Sequence, residues 1–95
     1  MWAPEQILHS YISTRWTMRV VKDDNGGGEE LIWIFLGSNS GKTNYSIFSP
    51  RNYKHEIQFK KAFDKLVIVL NKMNDCSGKR VKPAIDKILK ELTYS

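Results

Sequence analysis

Apolar and polar positions recur along this chain with two different periods, and each change of period marks a boundary between elements. From Trp16 to Lys22 the period is two, with Trp16, Met18 and Val20 on one side and Thr17, Arg19 and Val21 on the other. This predicts a strand with one wetter face. Leu31 to Leu36 is apolar at all six positions, which for a strand implies cover on both faces and a central place in a sheet. Thr43 to Ser49 returns to a β-type alternation. Between these runs, Asp23-Asp24-Asn25-Gly26-Gly27-Gly28 and Gly37-Ser38-Asn39-Ser40-Gly41 are rich in the residues that turns require.

The period then lengthens. Phe59, Ala62, Phe63, Leu66, Val69, Leu70 and Met73 follow the i, i+3, i+4 rule with Lys60, Lys61, Lys65 and Lys72 off the stripe, predicting a long helix that starts between residues 50 and 55. Ser49-Pro50 supplies a candidate cap and first helical position. The segment 66–70 is apolar all round and also fits a buried strand, but its length and the absence of Gly or Pro from 51 to 77 favour a helix. Pro83 is expected to open a last helix with the stripe Ile85, Ile88, Leu89 and Leu92, stacked behind the long one. At the start of the chain, Pro4 followed by Ile7, Leu8, Tyr11 and Ile12 has the spacing of a short helix.

The expected fold is therefore α+β, a three-stranded antiparallel meander packed against helices in the order α-β-β-β-α-α, with residues 1–95 as one domain. That layout resembles the double-stranded-RNA-binding domain and the three-strand-plus-helix DNA-binding modules of integrases, and Trp16 to Phe63 is loosely similar in arrangement to the WGR domain. Where WGR domains carry Trp-Gly-Arg this chain has Leu36-Gly37-Ser38, and Lys60-Lys61-Ala62 lies well inside the helix instead of at its start. No family is assigned on layout alone.

Composition narrows the function classes. Ninety-five residues at 41% hydrophobic and 12% aromatic suit one core and argue against disorder. The longest apolar runs, 31–36 and 66–70, fall far short of the ~18 residues of a membrane span. The first charge is Glu5, and the N-terminus shows neither a basic n-region nor an apolar h-region, so a signal peptide is not expected and the chain reads as intracellular, cytoplasmic or nuclear. A single cysteine, Cys76, gives neither a disulfide framework nor a cysteine zinc site. The sequon Asn44-Tyr45-Ser46 has meaning only in a secreted chain.

The chemical motifs fail on spacing. Gly37 to Thr43 looks like a phosphate-binding loop, but only three residues separate its glycines and a strand pattern follows, whereas a P-loop needs four and a helix. A hairpin turn is expected there, from whose tip Lys42 is able to touch a backbone phosphate. His55-Glu56 begins a zinc-protease motif whose second His is replaced by Phe59. Asp23, Asp24, Glu29 and Glu30 sit beside a glycine-rich loop that would leave a metal site poorly organised. His9 and Cys76 lack partners in their own segments. No catalytic residue, metal ligand or cofactor is assigned.

Charge is the remaining signal. Residues 1–50 hold four basic and five acidic side chains, a balance of −1, and residues 51–95 hold eleven and five, a balance of +6. A one-sided positive field recruits polyanions. The expected function is a small non-catalytic domain that binds DNA or RNA along its phosphate backbone through Arg51, Lys54, Lys60, Lys61, Lys65, Lys79, Arg80 and Lys82, with little sequence readout. Trp16, Tyr45 and Tyr53 are candidates for stacking on bases. The alternative is a protein-interaction module, an inhibitor, adaptor or homodimer, that uses apolar surface around 31–36 and on the last helix.

Overall fold

The structure, a computed structural model, describes residues 6–24, 30–74, 76 and 78–93. Four strands precede two helices: β1 (Gln6–Ile12), β2 (Trp16–Asp24), β3 (Glu30–Ser38), β4 (Asn44–Pro50), α1 (Tyr53–Lys72) and α2 (Gly78–Thr93). The sheet is antiparallel in the order β1-β2-β3-β4. The fold is thus α+β with the order β-β-β-β-α-α, which corrects the three strands and leading helix expected from the sequence. Pro4 and the glycine-rich stretch of the β2–β3 connection lie outside the described residues.

The leading helix fails for a local reason. The register of β1 on β2 runs Ile7↔Val21 and then His9↔Val20, so Leu8 is the extra residue of a bulge. A bulge breaks strict alternation. It lets Leu8 and Tyr11, three residues apart, both pack on the core, and that spacing mimics a helical stripe. Tertiary pairing decides the matter, because without β1 the ladder groups of β2 on that side would have no partners.

β3 is interior, as its apolar run suggests, but only one of its faces is covered by another layer. Ile32, Ile34 and Leu36 join Trp16, Met18 and Val20 beneath the helices. Leu31, Trp33 and Phe35 point the other way and are half-buried among their own neighbours. α1 packs on β1, β2 and β3, and α2 lies beside it against β4. The two helices therefore share one layer, in place of the stacked arrangement expected. Their buried stripes are Phe59, Ala62, Phe63, Leu66 and Leu70 on α1, and Val81, Ile85, Ile88, Leu89 and Leu92 on α2. Each of the larger of these side chains, Ala62 excepted, contributes ~1.5–3 kcal/mol when fully buried.

α1 starts where its cap is. Pro50 ends β4, and the side-chain oxygen of Asn52, in extended backbone, accepts from the His55 amide at 2.8 Å. The expected Ser49 cap is displaced because β4 keeps pairing as far as Pro50, opposite Leu31. Arg51 locks the junction by binding both Glu30 and Glu56. α2 begins at Gly78 rather than at Pro83, which lies inside it.

His9 occupies the inner side of β1, its ring 5.5 Å from that of Phe63. Burial first, and Lys60 second, hold its pKa below the ordinary 6.5, while Asp64 pulls the other way. The unfolded chain therefore binds this proton at higher pH than the folded one, and stability falls as pH drops through 6.5 towards the depressed value. The urea midpoint is expected to decline over that window in the wild type and to decline less in His9→Gln. Equal slopes in the two proteins would refute the assignment.

Candidate nucleic-acid interface

The long helix distributes its cations by its pitch. At ~100° per residue, Lys54, Lys61, Lys65 and Lys72 fall within ~40° of one another on the ridge opposite the buried stripe. All four are exposed. Lys60 lies on a different flank, paired to Asp64 at 2.7 Å with its ammonium 5.5 Å from the Phe63 ring centroid. Lys65 reaches Glu91 of α2 at 3.0 Å, and Arg51 is held by two carboxylates. Those carboxylates offset part of the field. Its guanidinium in turn holds the Glu30 carboxyl below its usual range, chiefly by hydrogen bonding.

Lys79, Arg80 and Lys82 are exposed at the start of α2, at the opposite end of the molecule from Arg51 and Lys54. The eight cations singled out by the sequence thus divide into a ridge (Lys54, Lys61 and Lys65), a separate cluster at one end (Lys79, Arg80 and Lys82), a neutralised junction at the other (Arg51), and Lys60, paired on a flank of its own.

The stacking candidates divide as well. Trp16 is 4% exposed in the core, where no base can reach its faces. Tyr45 packs on the core from β4, and its hydroxyl is pushed up to about 12, first by burial and then by the nearby Asp86 carboxylate. Tyr53, the first residue of α1, is 82% exposed. His55 serves the helix start: its Nδ1 donates to the Pro50 carbonyl at 2.7 Å. Among the described residues no three His, Cys, Asp or Glu side chains gather as a metal site, and no helix is long and apolar enough to cross a membrane.

The outer face of the sheet carries a group that sequence reasoning passed over. Trp33 and Phe35, two residues apart on β3, stack with centroids 5.2 Å apart and planes within 6°. Phe48 of β4, directly opposite Trp33 in the register, closes to 4.6 Å. The Arg19 guanidinium lies 4.7 Å from the Phe35 centroid, a cation–π contact. Phe48 is 56% exposed. The Trp33 indole N–H finds no acceptor among the described residues. The signal was present in the alternation of β2 and β4, where Thr17, Arg19, Asn44, Ser46 and Phe48 share the outward parity with Trp33 and Phe35.

Beside Phe35 this face dips into a depression of about 380 Å³ bordered by Thr17, Arg19, Asn44 and Ser46. Acidic groups lie towards the other end of the sheet, with Asp23 opposite Leu31. The face is polarised: aromatic in the middle, cationic and amide-bearing at one end. No family model, curated protein or solved structure matches the chain.

Proposed function

We propose that this chain is a small non-catalytic nucleic-acid-binding domain that holds a single strand of DNA or RNA on the outer face of its sheet. The carrying observation is the Trp33, Phe35 and Phe48 platform with Arg19 beside it, on a face that neither helix covers. Flat aromatic faces hold unstacked bases in any sequence, and a guanidinium beside them suits the sugar-phosphate backbone. The lysine ridge of α1 and the cations of α2 act at longer range, raising the encounter rate with a polyanion. Amides and hydroxyls at Asn44, Ser46 and Thr17 offer donors and acceptors to base edges, which allows modest preference without strict readout.

A second reading has its own support. Ile7 and Ile12 extend the same face on β1, and Ile12 is 77% exposed, so the face is also suited to a second copy of the chain or another protein. The apolar stripe of α2 is spent in the core, which leaves the sheet face as the surface for that alternative.

The two are separated by a salt-titrated panel of single- and double-stranded DNA and RNA, run alongside a light-scattering mass. Single strands are expected to bind best, with log affinity falling against log salt at ~0.7 per phosphate contacted. No retention of any of the four at low ionic strength, together with a mass that doubles with concentration, would overturn the proposal in favour of self-association.

A further inference from the structure

A second concavity, of about 490 Å³, lies at the end of the molecule where the β1–β2 turn, the β3–β4 turn and the α1–α2 connection meet. The two strand turns and the first turn of α2 each contribute a cation: Arg15, Lys42 and Lys79. Ser38, Ser40 and Thr43 add hydroxyls, and no carboxylate among the described residues lines the cavity. We infer that this cavity is a phosphate site, and that its ligand is the terminal phosphate of the strand that lies on the sheet.

The charge pattern points to an anion. Arg51, Lys60 and Lys65 all have carboxylate partners, whereas among the described residues no carboxylate lines the cavity that Arg15, Lys42 and Lys79 share. Three like charges from separate segments around one cavity give it a positive field that favours an anion. The first turn of α2 adds to the field: it carries Lys79 and Arg80 and no acidic residue, the reverse of what the helix dipole favours. A terminal phosphomonoester, with a charge of roughly −1.5 to −2 and three acceptor oxygens, answers three cations better than a singly charged diester.

The cavity is also held in shape before any ligand arrives. Asn39 stitches the two turns together: its side-chain amide donates to the carbonyls of Ser13 and Thr14 at 2.9 and 3.0 Å, its oxygen accepts from the Thr17 hydroxyl at 2.7 Å, and its backbone amide donates to Arg15 at 2.8 Å. Arg15 in turn donates from one terminal nitrogen to the Cys76 carbonyl at 2.8 Å. This ties in the helix connection and leaves most of its five N–H donors for a ligand. Gly41, at φ +80°, provides the left-handed step that places Lys42 at the rim.

Position links the cavity to the sheet. Ser38 and Asn39 border both this cavity and the depression beside Phe35 and Arg19. A strand stacked on the platform and leaving past Arg19 therefore delivers its end to the three cations. The inference rests on the sheet-face proposal for the source of the phosphate, but not for the anion site itself.

The test uses isotope-labelled full-length chain, titrated with inorganic phosphate and, separately, with one oligonucleotide prepared with a 5′-phosphate, a 3′-phosphate or hydroxyls at both ends. Inorganic phosphate is expected to shift the backbone amides of residues 38–43 and 78–79 saturably. One phosphorylated end is expected to bind about fivefold to tenfold tighter than the hydroxyl strand, the scale of one or two charge-assisted hydrogen bonds. Combined Lys42→Ala and Lys79→Ala, both at exposed positions, should abolish the differences between the three ends while leaving the melting curve unchanged and lowering the hydroxyl strand's affinity no more than the several-fold expected of any two lost surface cations. Equal affinity for all three ends, or phosphate shifts spread evenly over Lys54, Lys61 and Lys82 as well, would overturn the inference and leave the sheet-face proposal standing. Phosphate saturating the cavity with no strand binding at all would overturn the strand end as ligand and the sheet-face proposal with it, leaving an anion site for a small phosphorylated molecule.

Discussion

Single-stranded DNA or RNA will bind a Phe35→Ala, Phe48→Ala double variant about a hundredfold or more weaker than the wild type, since each base–aromatic stack contributes ~1–3 kcal/mol. Both rings stand on the uncovered side of the sheet, and Phe48 is more than half exposed, so its removal leaves the core beneath the helices untouched. Phe48→Ala alone should account for a substantial part of the loss with little change in melting temperature. The contrasting variant is Lys54→Ala with Lys61→Ala on the α1 ridge. Those cations act at a distance, so the expected result is a several-fold loss and a shallower salt slope, confined to low ionic strength. The measurement is fluorescence anisotropy of a labelled oligonucleotide at several salt concentrations. Undiminished affinity in the aromatic variant, with loss in the lysine variant, would move the interface to the helices and sink the sheet-face proposal.

Leu66→Ala is expected to destabilise the fold by ~2–5 kcal/mol, and Ile68→Ala by no more than ~0.5. The two residues are near neighbours in a segment that is apolar on all sides, and the sequence alone does not rank them. The fold does: Leu66 is fully enclosed between the sheet and the helices, whereas Ile68 is 55% exposed on the outer ridge of α1. Truncating Leu66 removes buried methyl groups and leaves a cavity that close-packed neighbours fill only in part. Against a total stability of ~5–15 kcal/mol for a domain of this size, that is a large fraction. Urea unfolding followed by tryptophan fluorescence reads it directly, because Trp16 lies in the same core. Comparable midpoints for the two variants would mean that α1 is rotated about its axis from the orientation described here.

The period-two and period-3.6 segments from Trp16 to Leu92 were legible because each buries one face against a neighbour, and burial imposes the period. β1 was not. Its bulge at Leu8 shifts the parity midway, and seven residues are too few for the pattern to recover. The site was legible only in part. The cations of residues 51–82 could be counted, but their pairing with Glu30, Glu56, Asp64 and Glu91 depends on contacts across up to 26 positions. The aromatic platform was hidden by an assumption that a run apolar at every position is covered on both sides. In β3 the outer half is covered by its own row of rings, an arrangement that a one-dimensional pattern does not distinguish from a buried strand. The cation cavity gathers single residues from three turns, and no local motif announces such a convergence.

The sheet keeps its strands in chain order, and this bears on how the molecule assembles. Every ladder is a hairpin between consecutive segments, so the entropy lost in closing each one is small and none must wait for a distant strand to arrive. The zipper can start at any reversal and spread sideways. α2 rests on β4 and α1, so the greasy flank of those two elements stays open to water until the second helix docks.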